Sequence, residues 1–279
     1  MDVRQVSLAT GIEVSLLEAG SGGRPLLLVH GFTGAKEDFA DQVDLLAADG
    51  WHVAAPDLRG HGASDHPAGL DAYSLETFAT DVLALADSLG WPRFTLLGHS
   101  MGGMVVQHVA LEAPDRLVGL ILMDTTHGPL GGIDAASIEL GKTVVAEGGM
   151  ALLVEAQRDR AGDLATAADQ RLRQTRPGYI EFGESKSRAS SGDMWIAMID
   201  EIVFNQPDRL ADLAALDVPT LVIVGEQDQP FLPHADALAA AIPGAQRATI
   251  SDAGHSPQFE NPEEWYRVLR GFLDGLPKD

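Results

Sequence analysis

Short, continuous apolar runs that end in polar or glycine-rich clusters recur along the chain. The first runs from Leu26 to Val29 and ends in His30-Gly31-Phe32-Thr33-Gly34. Further runs of the same form lie at 53–55, 94–97, 120–123 and 221–224. Such uninterrupted runs are typical of strands that are buried on both faces of a parallel sheet. Before the first run, residues 6–16 alternate between apolar and polar positions around a turn, which predicts an opening β-hairpin.

Segments with helical spacing fill the gaps between these runs. Apolar side chains from Leu75 to Leu89 lie three or four positions apart, which predicts one buried helix face, and Ser74 is a candidate N-cap. Further helices are predicted over 101–112 and around 265–272. This alternation predicts an α/β fold with a mostly parallel central sheet flanked by helices. Ligands bind beyond the carboxyl ends of the strands in such sheets, and the polar clusters fall there.

The alternation stops between about residues 127 and 210. No buried-strand run occurs in this stretch, and the spacing predicts helices instead, over 138–145, 150–157, 165–173 and 194–204. We therefore predict two units, an α/β core formed by 1–126 and 211–279 and a helical cap formed by 127–210. A helical insertion between two strands is expected to cover the edge where ligands bind.

A serine lies in the glycine-rich turn after the 94–97 run. Gly98-His99-Ser100-Met101-Gly102 fits G-x-S-x-G, with a buried run before it and a predicted helix after it. Such a strand-to-helix turn is sharp and exposes the serine Oγ above the sheet. The helix N-terminus also faces the negative charge that develops during the reaction. Ser100 is therefore the predicted nucleophile.

A serine hydroxyl needs an adjacent base, and the base needs an acid that fixes its tautomer. The chain holds nine histidines, and their positions in loops do not choose among them. The chain order nucleophile, acid, histidine selects His255. Asp228, which follows the 221–224 run, is the predicted acid, and Asp124, at the preceding strand end, is its rival.

The oxyanion that forms during attack needs two backbone N–H donors. We predict that one belongs to Met101, the residue after the nucleophile, and the other to Phe32, in the loop after the first run. Because both donors are main-chain groups, the two side chains are free to line the pocket.

Four residues are predicted to line the substrate pocket: Gly31, Trp195, Met198 and Phe231. Trp195 and Met198 belong to an apolar stripe at helical spacing, for which packing of the cap on the core is the other interpretation. Lys186 and Arg188 are interpreted as solvated surface charges, with contact to a substrate carboxylate as the alternative.

The composition limits the classes of partner. Asp plus Glu total 41 against 19 Lys plus Arg, and the net charge of −22 opposes binding to nucleic acid or to an anionic membrane. No apolar run approaches the roughly 18 residues of a membrane span, and no signal-peptide pattern begins the chain, so a cytoplasmic protein is predicted. Cysteine and H-E-x-x-H are absent, and neither metal nor cofactor is predicted. The expected partner is a small-molecule substrate, and the expected state is a monomer or a homodimer.

Five motifs, taken in order, resemble the α/β-hydrolase fold superfamily. They are His30-Gly31-Phe32, Asp57-Leu58-Arg59-Gly60-His61-Gly62-Ala63-Ser64, Gly98-His99-Ser100-Met101-Gly102-Gly103, Gly225-Glu226-Gln227-Asp228 and Gly254-His255-Ser256-Pro257. The resemblance covers nearly the whole chain. It implies a Ser100–Asp228–His255 triad, with the helical insertion as a lid, and a carboxylesterase or lactonase activity. Dehalogenases and many epoxide hydrolases of the superfamily carry Asp at the nucleophile position, so Ser100 speaks against both.

Other reactions on the same triad remain open. The chain is similar to the menaquinone-pathway synthase, although Met104 stands where that family usually has arginine. It is also similar to carbon–carbon bond hydrolases, although His99 stands where they usually have asparagine. A cofactor-free peroxidase and a non-catalytic ligand receptor are further alternatives. An ester or lactone hydrolase fits the motifs best.

Overall fold

The computed structural model describes residues 1–132, 134–158 and 166–277, and in these ranges the chain forms one eight-stranded sheet. The strands are β1 (Asp2–Ser7), β2 (Glu13–Ala19), β3 (Arg24–Val29), β4 (Trp51–Pro56), β5 (Phe94–His99), β6 (Leu117–Met123), β7 (Thr220–Gly225) and β8 (Gln246–Ile250). Their order across the sheet is β1-β2-β4-β3-β5-β6-β7-β8. β1 pairs antiparallel with β2, and β2 with β4, whereas all the other neighbours are parallel. The predicted hairpin and the mostly parallel sheet are confirmed.

Helices lie on both faces of this sheet. In the described ranges they are α1 (Ala40–Ala48), α2 (Leu75–Ser88), α3 (Met101–Glu112), α4 (Ala135–Gln157), α5 (Ala167–Thr175), α6 (Tyr179–Arg188), α7 (Gly192–Asp200), α8 (Leu210–Leu213), α9 (Leu232–Ala241), α10 (Pro257–Glu260) and α11 (Pro262–Gly275). Short 3₁₀ turns add Lys36–Phe39, Leu70–Ala72 and Pro114–Arg116. The predicted N-cap of α2 is present, since Ser74 Oγ accepts the Thr77 N–H at 3.0 Å.

The buried strands divide their side chains between two apolar layers. On β3, Leu27 and Val29 pack in the layer that contains α2, α3 and α9, whereas Leu26 and Leu28 pack in the layer of α1 and α11. Side chains of a strand alternate between the two faces of the sheet, so a strand that is covered on both faces must be apolar throughout. This is why the predicted runs coincide with β3 to β7. Because these strands pair in parallel, their carboxyl ends lie at one edge of the sheet.

In its described residues, the chain between β6 and β7 forms helices joined by loops and contains no strand. The predicted helices 138–145 and 150–157 both lie in α4, which is interrupted at Gly149 with φ 66°. Ala165, where the third helix was predicted to start, lies outside the described residues. The fourth predicted helix ends earlier, at Asp200, and Glu201–Asn205 forms a π-helical turn. The boundaries of the cap at 127–210 stay a prediction.

Segment 127–210, called the insert below, is bound to loops at the carboxyl edge of the sheet. Ser191 N–H donates to the Gly60 carbonyl at 2.8 Å, in the loop after β4. Ala168 N–H donates to Gln227 Oε1 at 2.9 Å, in the loop after β7. An Arg171 guanidinium nitrogen donates to the Asp252 carbonyl at 2.8 Å, after β8. The insert therefore lies over the loops that carry the predicted site. Within the described residues, no helix is long and apolar enough to cross a bilayer.

Candidate active site

Ser100 occupies a strained turn between β5 and α3. Its φ of 55° and ψ of −120° lie outside the regions that side-chain-bearing residues normally adopt. The turn closes tightly, because a Cβ on Gly98 would lie 2.3 Å from the Gly102 carbonyl oxygen and one on Gly102 would lie 2.4 Å from the His30 carbonyl oxygen. Only glycine fits at either position. The geometry directs the serine side chain away from the strand and into the cleft.

Ser100, His255 and Asp228 form one hydrogen-bonded chain. The Ser100 Oγ lies 2.9 Å from His255 Nε2, and His255 Nδ1 lies 2.7 Å from Asp228 Oδ2. Because a carboxylate can only accept, Nδ1 carries the proton and Nε2 is free to accept the serine proton. The structure therefore brings together the three residues predicted as nucleophile, base and acid. Phe231 packs on the imidazole, with ring centroids 4.5 Å apart.

Asp124, the rival acid, lies beside Asp228 instead of replacing it. Oxygen and nitrogen atoms of Asp124, Asp228 and His255 are within 4.8 Å of one another. His255 Nδ1–H donates its hydrogen bond to Asp228, so Asp228 is the carboxylate of the hydrogen-bonded chain. We assign no metal to this group, and the absence of a metal or cofactor stays a prediction.

The two predicted oxyanion donors border Ser100. Met101 is the first residue of α3, and Phe32 lies in the loop after β3. This loop approaches the serine closely, since a Cβ on Gly31 would lie 3.0 Å from the Ser100 Cβ. In the described part of the chain, neither the Phe32 N–H nor the Met101 N–H makes a hydrogen bond. Both groups are thus available to a ligand atom.

A buried polar network supports the loop after β3. His30, fully buried, accepts the Leu58 N–H on Nε2 at 3.0 Å. Burial lowers the pKa of His30, which keeps the ring neutral and able to accept. Asp57, also fully buried, accepts both the N–H and the Nζ of Lys36 at 2.8 Å. These bonds tie the loop after β3 to the loop after β4.

His99, the residue before the nucleophile, holds the loop of the base. Its Nε2 donates to the His255 carbonyl oxygen at 2.6 Å. Burial, and then the neighbouring His255, lower the pKa of His99 to about 3, so it stays neutral near neutral pH. A neutral ring beside the base adds no charge that would oppose protonation of His255.

A groove of about 220 Å³ opens beside Ser100. Its lining consists of Gly31, Phe32, Thr33, Gly34, Asp38, His99, Ser100, Gly183, Lys186, Ser187, His255, Ser256 and Gln258. The lining includes Gly31 among the four predicted pocket residues. Trp195, Met198 and Phe231 lie outside it. Met198 is fully buried, Trp195 packs against Phe32 with ring centroids 6.1 Å apart, and Phe231 covers His255. Core packing therefore accounts for the apolar stripe.

Helix α6, which the sequence pattern did not predict, supplies residues to the groove. Gly183, Lys186 and Ser187 come from one face of α6. None of the α6 residues is fully buried, so the helix has no apolar stripe to reveal it. Gly183, Lys186 and Ser187 have the spacing of one helix face, but because none of them is apolar the spacing does not stand out in a hydrophobic pattern.

The interpretation of Lys186 as a solvated surface charge was wrong. Its side chain is only 17% exposed, forms an ion pair with Asp38 and lies 4.5 Å from the Phe182 ring centroid. Lys186 and Asp38 both line the groove, and their side chains are partly shielded from water. Arg188 lies apart from the groove lining and pairs with Glu155 at 3.6 Å.

Glu260 fixes the loop that carries His255. Its Oε2 accepts the N–H groups of Gly254 at 2.6 Å and Ser256 at 3.1 Å, on both sides of the base. Burial raises the pKa of Glu260, while these two N–H groups act against that rise. We expect Glu260→Leu to lower kcat by about 10- to 100-fold, because a misplaced base loses alignment with the serine. Steady-state kinetics on an activated ester measures this.

Two further variants serve as controls for Glu260→Leu. Glu260→Gln keeps an oxygen acceptor and should retain most of the activity of the unmodified protein. Glu263→Leu changes an exposed residue one turn away in sequence and should leave kcat unchanged. A folded Glu260→Leu protein with unchanged kcat would show that the clamp is dispensable.

The fold and the site geometry define a class of protein, and comparison with known sequences identifies it. Residues 24–262 match the family described as alpha/beta hydrolase fold, and the chain belongs to that family. Lipase 3 of Moraxella sp. (strain TA144) is 28% identical over 288 residues, covering 100% of this chain and 86% of the lipase.

Two further relatives differ in their named activities. Epoxide hydrolase A of Mycobacterium tuberculosis (strain ATCC 25618 / H37Rv) is 29% identical over 308 residues, covering 95% of each protein. The solved structure of a thermophilic esterase from Thermogutta terrifontis matches with a TM-score of 0.81 and 31% identity, covering 98% of each chain. The relatives thus support a hydrolase and leave the bond that it cleaves to the site chemistry.

Proposed function

We propose that the protein is a serine hydrolase that cleaves a small, neutral or apolar carboxylic ester or lactone through an acyl-enzyme. The observation that carries the proposal is the hydrogen-bonded chain from Ser100 through His255 to Asp228, with the serine on a strained strand-to-helix turn. A serine in this arrangement has a base within reach and an acid that orients the base.

The proposed reaction has two halves. Ser100 Oγ attacks the carbonyl carbon while His255 Nε2 takes its proton, and the N–H groups of Phe32 and Met101 bind the oxyanion. His255 then returns the proton to the leaving alcohol oxygen, and an acyl-enzyme remains on Ser100. A water molecule, deprotonated by His255, cleaves the acyl-enzyme and releases the acid. Asp228 stabilises the imidazolium in both halves.

The charges around the groove favour a neutral substrate. Lys186, the cation in its lining, is already paired with Asp38, so it adds little net positive charge. The chain as a whole carries −22, which disfavours anionic substrates at low salt. The similar lipase and esterase support an ester bond as the target. Epoxide hydrolysis is disfavoured because its family enzymes commonly use Asp where Ser100 stands.

A covalent probe tests the proposed chemistry directly. A fluorophosphonate should add once to the intact protein, and peptide mapping should place the adduct on Ser100. Incubation with a panel of esters and lactones, followed by intact-mass measurement, should then reveal an acyl-enzyme and the size of its acyl group. A protein that takes up no fluorophosphonate would refute the proposed nucleophile.

The same panel separates ester hydrolysis from the other reactions of this triad. A carbon–carbon hydrolase or a lyase would turn over simple esters slowly, whereas an esterase should turn over several of them well. A neutral ester and its anionic isostere, compared at low salt, test the charge argument. Equal rates for the two esters would show that the net charge of −22 affects solubility and not the choice of substrate. Small-molecule substrates, a cytoplasmic location and a monomer or homodimer belong to the same proposal.

A further inference from the structure

Asp124 is a buried carboxyl that the proposed mechanism does not use. It follows β6, just as the Asp228 loop follows the neighbouring strand β7, and it is 1% exposed. Its φ of 45° lies in the left-handed region, which asparagine and aspartate tolerate better than most residues. The backbone is anchored there by the Asp124 N–H, which donates to the Ile223 carbonyl at 2.9 Å.

The two oxygens of this carboxyl have different surroundings. Oδ1 accepts the Gly225 N–H at 2.9 Å, whereas Oδ2 is buried and meets no hydrogen-bond donor in the described residues. A carboxylate oxygen of Asp124 and one of Asp228 lie within 4.8 Å of each other, so the two carboxyl groups adjoin. Two ionised carboxylates cannot hydrogen-bond to each other, because each can only accept. A single proton on Oδ2 would give the buried oxygen a hydrogen bond to donate and the neighbouring Asp228 carboxylate a donor to accept.

Two carboxylates that face Asp124 oppose its ionisation, Asp228 from the loop after β7 and Glu260 from α10. The third facing group is the His255 imidazole, from the loop after β8. No Lys or Arg among the described residues forms an ion pair with Asp124. Burial, followed by the charge of Asp228, raises the pKa of Asp124 well above the ordinary carboxyl value.

We infer that Asp124 is a positioning residue, a neutral carboxylic acid whose Oδ2–H donates a hydrogen bond to the Asp228 carboxylate. The inference rests on the proposed function, in which Asp228 is the acid of the triad. The bond holds Asp228 from a second direction while His255 Nδ1–H binds its Oδ2. It also leaves one negative charge, not two, beside the imidazole. A second charge would favour the imidazolium and block the base at neutral pH.

Asp124→Asn is the matched substitution for the test. Its amide keeps an oxygen acceptor for the Gly225 N–H and an N–H donor for Asp228, with no titratable proton. The midpoint of the acid limb of kcat/KM against pH should therefore stay unchanged. Asp124→Ala removes the donor, makes Asp228 a stronger partner for the imidazolium, and should move the midpoint upward by about one pH unit. A purely structural role would lower stability in Asp124→Ala without moving that midpoint.

The opposite protonation state predicts a different result. If Asp124 were ionised, Asp124→Asn would remove a negative charge near His255 and move the midpoint downward by about one pH unit or more. That shift would overturn the inference.

Infrared difference spectroscopy reads the proton without any substrate. At about pH 8, well above the ordinary carboxyl pKa, unmodified protein minus Asp124→Asn should show the carbonyl-stretch band of a protonated carboxyl. Absence of this band would overturn the inference whatever the activity. A band in a protein that neither hydrolyses esters nor binds a fluorophosphonate would refute the proposed function and leave the protonated carboxyl standing.

Discussion

Replacing Ser100 by alanine is expected to lower kcat for ester hydrolysis by about 10⁴- to 10⁶-fold. The loss is large because the acyl-enzyme route needs the Oγ atom, and His255 cannot activate a missing nucleophile. KM should change far less, because the groove and the two oxyanion N–H groups stay in place. Fluorophosphonate labelling should disappear. The measurement is steady-state turnover of a p-nitrophenyl ester, with intact mass for the labelling.

Stability has to be measured in the same proteins. Ser100 has a φ of 55°, so alanine inherits a strained backbone, and a drop in melting temperature must not be mistaken for loss of chemistry. Ser88→Ala, at an exposed position on α2, is the control and should keep full activity. A folded Ser100→Ala protein that retained full turnover would refute the proposed nucleophile.

Replacing Lys36 by methionine is expected to lower the free energy of unfolding by about 3–5 kcal/mol. The side chains of Lys36 and Asp57 are 7% and 0% exposed, and the substitution leaves a buried carboxylate without its counter-charge. Backbone N–H groups still donate to Asp57 but carry no full charge. Denaturant unfolding, followed by fluorescence or circular dichroism, gives the change.

The source of that loss can be separated by a second substitution. Adding Asp57→Asn to Lys36→Met removes the unpaired charge and should restore part of the stability. Arg267→Met breaks the ion pair between Arg267 and Glu264, in which the arginine side chain is 70% exposed. This substitution should lower the free energy of unfolding by less than about 1 kcal/mol. Similar losses in Lys36→Met and Arg267→Met would contradict the argument from burial.

The Lys36 contribution should also depend on pH. Burial lowers the pKa of the ammonium, but the hydrogen bonds to Asp57 and Glu37 raise it, and the net direction is above 10.5. A group whose pKa is higher in the folded state stabilises the fold below its unfolded pKa and loses this effect as pH rises through the folded value. The excess stability of the unmodified protein over Lys36→Met should therefore be constant near neutrality and shrink above about pH 10.5.

The central sheet was predictable because strands that are buried on both faces appear in a sequence as continuous apolar runs. The runs at 26–29 and 221–224 are apolar throughout, the run at 94–97 is apolar except for the buried Thr95, and each lies within an observed strand. Ser100 was predictable for a different reason, since a sharp turn with close backbone contacts tolerates only glycine at 98 and 102. Both patterns lie within a short segment of the chain, so the sequence alone shows them.

The groove was much harder to predict, because its walls come from segments distant in the chain. Lys186 pairs with Asp38, which is 148 positions away in the chain, and the sequence around neither residue indicates this pairing. Trp195 and Met198 are apolar, as a pocket lining would require, but in the packed α7 both side chains are buried in apolar clusters. An apolar stripe specifies that a helix face is buried and does not specify what buries it.

By itself, the sequence determined an α/β fold and a sharp glycine-flanked turn at Ser100, because both follow from burial and close backbone contacts. The roles of nucleophile, acid and base were predicted from the order of the motifs along the chain. Only the tertiary structure decided how two neighbouring carboxyls divide their tasks. Asp124 and Asp228 both follow sheet strands, and the sequence made them rivals. Folding brings both beside His255, where a buried site cannot hold two bare negative charges at low cost. Asp228 therefore faces the base, and Asp124 supports it.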